Sequence, residues 1–350
     1  MTERVLSTRE LNRALLARQL LLERSSLPLA RALEAVGGLQ TQYSPSGYVG
    51  LWSRLRNFRR TNLTDALVKR QAIQGTLMRS TIHTVSASDY WSLQAGTRGS
   101  LREWWLRIVR DQAAGLDMEL AARILRERLG RGPARDRELR AVLREHGMPD
   151  IVWSGVRMWL DMVRVPPSGT WERKRADLYA LADGWVPARD VTEADGILLL
   201  IKRYLGGFGP AAVADIAGWA GLPPAKVGPV VERLGLQRFR DEAGRVLFDF
   251  PRATLPDPGA HAPVRFLQTF EALTMIHARR TQVMPEQYRP IIFNTKTPHS
   301  KPVFLVDGAV AGTWRYEDGR VRVDPFEPLP RTVRRELDDE ARALAAFHAE

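Results

Sequence analysis

The chain has 350 residues, 44% of them hydrophobic and 26% charged, a globular balance that excludes a disordered chain and is too long for one small module. Lys and Arg number 52 against 40 Asp and Glu, a net charge of +12 that favours a polyanionic partner. With no cysteine, structural disulfides, thiolate nucleophiles and Cys-rich metal sites are excluded. The longest apolar run, Gly196 to Ile201, is far below the roughly 20 residues of a membrane helix. The N-terminal stretch lacks the apolar core of a signal peptide. The expectation is a cytoplasmic protein with no membrane association.

In chain order, the spacing predicts helices over Ser7 to Glu23, Pro28 to Val36 and Leu63 to Ile73, then strand-like Thr76 to Val85. Residues 1–95 thus read as a first winged helix. In 96–186, a helix over Arg137 to His146 ends at Gly147, and Val156, Trp159, Leu160 and Val163 mark another by their i, i+3, i+4, i+7 spacing. Val163 to Val165 and Asp177 to Leu181 then flank a charged wing that carries Arg173, Lys174 and Arg175. The third unit, 187–255, is the clearest. Val213, Ile216, Ala217 and Ala220 give one apolar helix face, and Gly-Leu-Pro-Pro at 221–224 makes a turn. Val227, Val230, Val231 and Leu234 repeat the spacing before two strands around a DEAG turn. Helix, turn, helix, hairpin is the order of a winged helix. Residues 256–350 change character: a helix over Val264 to Arg280, then Pro-bounded extended runs with hairpin dipeptides Asp307-Gly308 and Asp318-Gly319, and a final amphipathic helix over Arg331 to His348. The expected class is α+β, mainly helical, with three tandem winged helices and a C-terminal β-rich module.

Several chemistries lack their usual residues. The six histidines never fall in H-x-x-x-H or H-E-x-x-H spacing, so no metal site is expected. There is no Walker P-loop or G-x-S-x-G elbow, and Gly206-Gly207-Phe208-Gly209 precedes a helix–turn–helix rather than a βαβ unit. No cofactor is expected.

A binding surface is better supported. Arg54, Arg56, Arg59 and Arg60 in one run, Arg102, Arg107 and Arg110 around Trp104-Trp105, and Arg173 to Arg175 beside Trp171 combine cations with aromatics. Such groups neutralise phosphates and stack on bases; singly, each cluster also reads as a solvated face over partly buried tryptophans. Gln40 and Gln42 lie two apart. On an extended segment both amides point one way and Thr41 the other, so two amides can hold one water, or serve only as turn residues. His83, after Thr81-Ile82, reads as a satisfied, half-buried histidine.

The runs ELNRALLARQLLLERS, AVGGLQTQYSPSGYVGLWSRL, TLMRSTIHTVSASDYW and LVDGAVAGTW resemble the HTH_42 superfamily of bacterial DNA glycosylases, in particular the AlkZ-like enzymes that accompany azinomycin-, hedamycin- or trioxacarcin-type alkylating antibiotics. The resemblance spans essentially the whole chain. It implies three winged helices in a C-shaped arrangement with Gln40 and Gln42 as the catalytic pair. Gln40-Thr41-Gln42 follows the Gln-x-Gln of the antibiotic-resistance branch and departs from the Gln-x-Asp of the crosslink-unhooking branch. A β-hairpin that engages the lesion-bearing groove is then expected at 294–301, with Lys296, His299 and Lys301 reaching DNA; a solvated hairpin tip is the alternative, and for His83 the resemblance offers a lesion contact as the alternative to a satisfied, half-buried ring. The implied function is a monofunctional, monomeric glycosylase that releases bulky N7-alkylguanine from double-stranded DNA and protects against a genotoxic natural product. A non-catalytic tandem winged-helix regulator is the alternative.

Overall fold

Ser7 opens the first helix with a reciprocal cap: its Oγ accepts from the Glu10 N–H at 3.2 Å, and its own N–H donates to Glu10 Oε2 at 2.8 Å. The computed structural model describes residues 3–275, 280–293 and 300–350. The first stretch runs β1 (Arg4–Leu6), α1 (Thr8–Arg18), α2 (Leu29–Ala35), β2 (Leu39–Gln40), α3 (Pro45–Arg54), α4 (Arg60–Val68), β3 (Ala72–Thr76) and β4 (Ile82–Ser86), and leads into the long α5 (Ala87–Val109). Next come α6 (Met118–Gly130), β5 (Ala134–Arg135), α7 (Asp136–Glu145), α8 (Ile151–Gly155), β6 (Met162–Arg164) and β7 (Leu178–Leu181). The third stretch is α9 (Glu193–Phe208), α10 (Val213–Ala220), α11 (Pro224–Arg233), β8 (Gln237–Asp241) and β9 (Val246–Asp249). The last is β10 (Arg265–Phe266), α12 (Ala272–Met275), α13 (Arg289–Ile292), β11 (Val303–Val306), β12 (Ala309–Glu317), β13 (Arg320–Pro325) and α14 (Arg331–Ala349). The chain is α+β and mainly helical.

The sheets cut across the segments read from the sequence. The strands of the first two stretches merge into one six-stranded sheet, ordered β2-β4-β3-β6-β7-β5. In the third stretch, β8 pairs with β9 antiparallel and with the N-terminal β1 in parallel. A four-stranded sheet, β10-β11-β12-β13, completes the fold. Its two tight turns place Asp307, Gly308, Asp318 and Gly319 at positive φ, the geometry for which those dipeptides are suited.

Four predicted helices differ from the structure. The first stops at Arg18 because Leu20 adopts φ 57°. The one expected over Leu63 to Ile73 ends earlier, and Ile73 pairs with Val85 in the sheet. The one marked by Val156 to Val163 is a 3-10 turn, Val156–Met158, after which Val163 joins β6. Of the helix expected over Val264 to Arg280, Arg265–Phe266 is a strand and Ala272–Met275 one short turn of helix, while 276–279 lie outside the described residues. Arg265 and Phe266 pair with β11, and Phe270 at φ 64° breaks any continuous helix.

Helices α5 and α9 pack against each other in close contact. A Cβ on Gly196 would lie 2.3 Å from the Gly96 amide nitrogen, so the two backbones touch without side chains between them. One apolar core joins residues from all four stretches, such as Leu15, Tyr90, Val163, Ala182, Leu200, Ile216 and Met284. The helices of the second stretch close a further core against the C-terminal half of α5, around Trp105, Leu125 and Trp153.

Candidate active site

The Gln-x-Gln segment is delivered by two glycines. Gly37 and Gly38 take φ 76° and 78°, a left-handed pair that swings the chain from α2 onto the edge of the six-stranded sheet. A Cβ on Gly38 would stand 2.8 Å from Val85 Cγ1, so this approach to β4 also needs the bare backbone. On β2, Gln40 pairs directly with His83 of β4. The Thr41 N–H donates to the Ile82 carbonyl at 2.8 Å, and α3 begins four residues later with Pro45 in its first turn.

Thr41 faces inward, its hydroxyl 2.9 Å from that of Thr84. The two amides are each tied by a protein donor. Gln40 Oε1 accepts from Arg79 Nη2 at 3.3 Å, and Gln42 Oε1 accepts from the Ile82 N–H at 3.2 Å. Both carbonyls are thereby oriented, each with one lone pair unused among the described residues. Gln40 is buried and Gln42 exposed, so the pair reaches from the protein interior to its surface.

Arg79 was not singled out by sequence reasoning. It sits in the 3-10 turn Met78–Ser80 between β3 and β4, at φ 55° and ψ 26°, with Ser80 also left-handed. Two successive non-glycine residues in that region are uncommon and cost energy. The turn packs on α10: a Cβ on Gly221 would be 2.9 Å from the Arg79 nitrogen, and Arg79 Nη1 donates to the Trp219 carbonyl. Among the described residues its partners are neutral: Trp219 O, Gln40 Oε1 and His83 Nε2. Burial lowers its pKa to about 10, which leaves it charged at neutral pH.

His83 is 3% exposed, and burial, then the neighbouring Arg79 charge, lowers its pKa to about 3. It is neutral. Its Nδ1–H donates to the Thr81 carbonyl at 3.1 Å, and Nε2 accepts from Arg79 Nη2 at 3.3 Å. This tautomer follows from the partners, since a guanidinium offers only donors. His83 is therefore more deeply enclosed than a half-buried residue, and its ring supports Arg79.

The expected DNA-contacting cations separate into groups. Arg54 is a correction: it is 1% exposed, as is its partner Glu271, with Nη2 3.0 Å from Glu271 Oε1. It cannot present a charge to phosphate; it ties α3 to the last stretch. Arg56 is exposed but neutralised by Glu23 and held by the Arg24 carbonyl. Arg59 is exposed, and the Arg60 guanidinium lies 5.0 Å from the Trp171 ring centre. Arg173, Lys174 and Arg175 are exposed on the wing between β6 and β7, with Arg175 paired to Asp177 at 2.9 Å. That wing docks beside the glutamines, because Ser44 Oγ donates to the Lys174 carbonyl at 2.9 Å. Lys301 is exposed, its N–H donating to the Ile292 carbonyl at 2.9 Å. Lys296 and His299 lie outside the described residues. Of the second basic cluster, Trp105 is buried with its Nε1–H on Ser154, while Trp104 is exposed.

Helix–turn–helix elements, Gln40 on the sheet edge with Gln42 just beyond it, and a cationic wing docked alongside are parts suited to binding DNA. A family model described as DNA glycosylase AlkZ-like matches residues 33–347, and the chain belongs to that family. Among solved structures it is similar to the DNA glycosylase AlkZ of Streptomyces sahachiroi, with 18% sequence identity and a TM-score of 0.81 over 98% of this chain and 97% of that one. At that identity the likeness is one of fold. No curated protein matches the sequence. Family membership decides for an enzyme over the regulator alternative.

Proposed function

We propose that this glycosylase releases N7-alkylated guanine, bulky adducts included, with Gln40 and Gln42 positioning the attacking water. The observation that carries the reading is the pair of oriented carbonyls, fixed by Arg79 and by the Ile82 N–H, each with a lone pair unused among the described residues. Guanine alkylated at N7 carries positive charge. Cleavage of its glycosidic bond returns the bond electrons to the ring, so the base leaves neutral. The sugar is left with oxocarbenium character, and a water oxygen bonds to C1′ and gives up a proton to solvent, leaving an abasic site. Neutral amides are weak bases but good positioners, and carbonyl dipoles aimed at a developing cation stabilise it. Such a site leaves unmodified purines intact, because activation comes from the lesion.

Arg79 acts as a positioning residue: it holds the Gln40 carbonyl in place while the Trp219 carbonyl and His83 hold the guanidinium. The exposed Arg59, Arg173 and Lys174 are assigned to the DNA backbone, with Arg60, Arg175, Lys301 and the 294–301 segment beside it. We further assign action as a cytoplasmic monomer that protects the genome from an alkylating natural product.

The test is base release from duplexes carrying N7-methylguanine or a bulky N7-guanine adduct. Gln40→Ala and Gln42→Ala are expected to slow release by 10²-fold or more, the order of a lost positioning or electrostatic group, while duplex affinity stays within about twofold. Release unchanged in both variants excludes the amide pair; no release by the wild type of either base excludes the substrate class.

A further inference from the structure

The β8–β9 hairpin of the third stretch carries several arginines, but they are already neutralised. Arg238 and Arg240 are both held by Glu3, at 2.9 and 2.8 Å, and Arg245 is held by Asp241 at 2.8 Å. The second stretch is the opposite case. Arg140 of α7, Arg157 in the 3-10 turn after α8 and Arg164 at the end of β6 converge on two aromatic rings. The Arg140 and Arg157 guanidiniums lie 5.2 and 5.5 Å from the Trp153 ring centre, and that of Arg164 lies 5.9 Å from the Tyr179 ring centre. The two rings meet edge-on at 5.7 Å, so the three cations share one aromatic wall.

Among the described residues, none of the three arginines is in an ion pair. The acids closest to them in the chain are engaged elsewhere, Glu138 with Arg128 at 3.0 Å and Asp161 with Arg98 at 2.7 Å. Burial, with the charges of Arg164 and Arg140 adding to it and Tyr179 opposing, holds the Arg157 guanidinium below its ordinary pKa. Like charges gathered without a counter-ion destabilise a fold, so the cluster calls for an anion that completes it. All three residues are half-buried, and the enclosed nitrogens are the Nε of Arg157 and of Arg164. The terminal Nη groups are left to meet a ligand, and their planar fork is matched to phosphate oxygens.

The cluster is separate from the Gln-x-Gln site. Directly paired residues of neighbouring strands share a face of the sheet, and successive residues alternate. Gln40, His83, Gly75 and Val163 form one row, and Thr84, Gln74, Arg164 and Tyr179 form the next, on the other face. Arg164 also lies three strand spacings from β2, about 14 Å. Its face is the one that carries the wing, since the Gln74 amide donates to the Gly169 carbonyl in the wing at 3.3 Å. The exposed Arg173 and Lys174 belong to that same wing. We propose that Arg140, Arg157 and Arg164 bind a backbone phosphate of the duplex flanking the lesion, so that the second stretch rather than the third grips the DNA there. The proposal rests on DNA as the partner, which the family gives, and not on how Gln40 and Gln42 act.

The experiment measures binding of a short undamaged duplex to the full-length protein across a salt series, with a thermal melt of each variant. Wild type is compared with Arg157→Met, with the triple variant Arg140→Met, Arg157→Met and Arg164→Met, and with the pair Arg238→Met and Arg240→Met. Methionine keeps the packing on the rings and removes the charge. The triple variant is expected to bind the duplex about tenfold more weakly and to lower the log–log salt slope by about 0.9 for each phosphate no longer held. Its melting temperature should hold or rise, because no carboxylate is orphaned and repulsion is relieved. The Arg238 and Arg240 pair should leave the slope unaltered. If the triple variant fails to fold, Arg157→Met decides alone. An unchanged slope in the folded variant overturns the proposal, and so does an equal fall in the β8 pair. A free phosphoanion offers the same oxygens, so inorganic pyrophosphate is titrated in parallel. Pyrophosphate binding that is lost in the triple variant while the duplex slope stays unchanged makes this a free-anion site and overturns the assignment to DNA. The duplex carries no lesion, so the outcome is independent of which base is released.

Discussion

At the scale of the residue, His83 is held neutral between the Thr81 carbonyl and the Arg79 guanidinium, because a protonated ring would turn an N–H toward a cation. Burial, with the Arg79 charge second, lowers its pKa to about 3, and burial, with nearby Lys174 and Arg60, lowers that of His348 to about 4. Both folded values lie below the unfolded value of about 6.5. Between those limits the unfolded chain binds the extra protons, so stability is full above pH 6.5 and falls as pH drops toward the folded values. Melts from pH 7.5 to 5 should show unfolding taking up about two protons near pH 5, and about one in His83→Leu. An unchanged pH slope in that variant means the ring is charged in the folded protein. Neither Arg79 nor its link to Gln40 was legible in the sequence. Nothing in Met-Arg-Ser-Thr announces two left-handed residues, and the partner that anchors Arg79 is a backbone carbonyl some 140 positions away.

At the scale of the element, α9 carries glycines with opposite roles. Gly196 meets the Gly96 backbone, whereas a Cβ on Gly206 meets nothing within 4 Å. Gly196→Ala should therefore destabilise the protein by about 1–3 kcal/mol, because the obstruction is backbone and cannot rotate away. Gly206→Ala should stabilise it by about 0.5–1 kcal/mol, through the helix propensity that glycine lacks. Denaturant titration of the two variants separates these signs, and equal effects contradict the close packing of α5 on α9. Elements with strong local signals were legible: α10, α11, the β8–β9 hairpin, the turns at Asp307-Gly308 and Asp318-Gly319, and α14. Helix α3 was not foreseen, because Tyr48, Val49, Leu51 and Trp52 are buried together with the polar Ser46, Ser53 and Arg54. A helix buried on all sides shows no amphipathic period.

At the scale of the whole molecule, the ends of the chain are joined. Arg13 of α1 reaches the Asp307 carboxylate and carbonyl in the β11–β12 turn, and Arg18 binds Asp249 at 2.6 Å. Arg54 and Glu271 pair in the interior at 3.0 Å. The total of Lys and Arg therefore overstates the surface available to DNA. Arg54→Met leaves Glu271 buried without its cation and should cost about 3–5 kcal/mol, with the salt dependence of duplex binding unchanged. Arg173→Ala and Lys174→Ala should leave the melting temperature nearly unaltered and reduce the log–log salt slope by about 0.9 for each phosphate no longer neutralised. Salt titrations of duplex affinity beside thermal melts distinguish the two classes. An altered slope in Arg54→Met assigns that residue to the surface after all.

The sequence by itself determined the things that depend on near neighbours and on composition: the helical periods, the hairpin dipeptides, the absence of thiol chemistry and the basic balance of the chain. It also displayed the family resemblance, since Gln40-Thr41-Gln42 and the segments around it are read directly along the chain. Tertiary structure alone decided which arginine faces solvent and which is enclosed, that two stretches share one sheet, and that Arg79 and His83 support Gln40 from behind. The physical reason is separation: burial, ion pairing and strand pairing are properties of residues brought together across tens to hundreds of positions, and no local pattern encodes them.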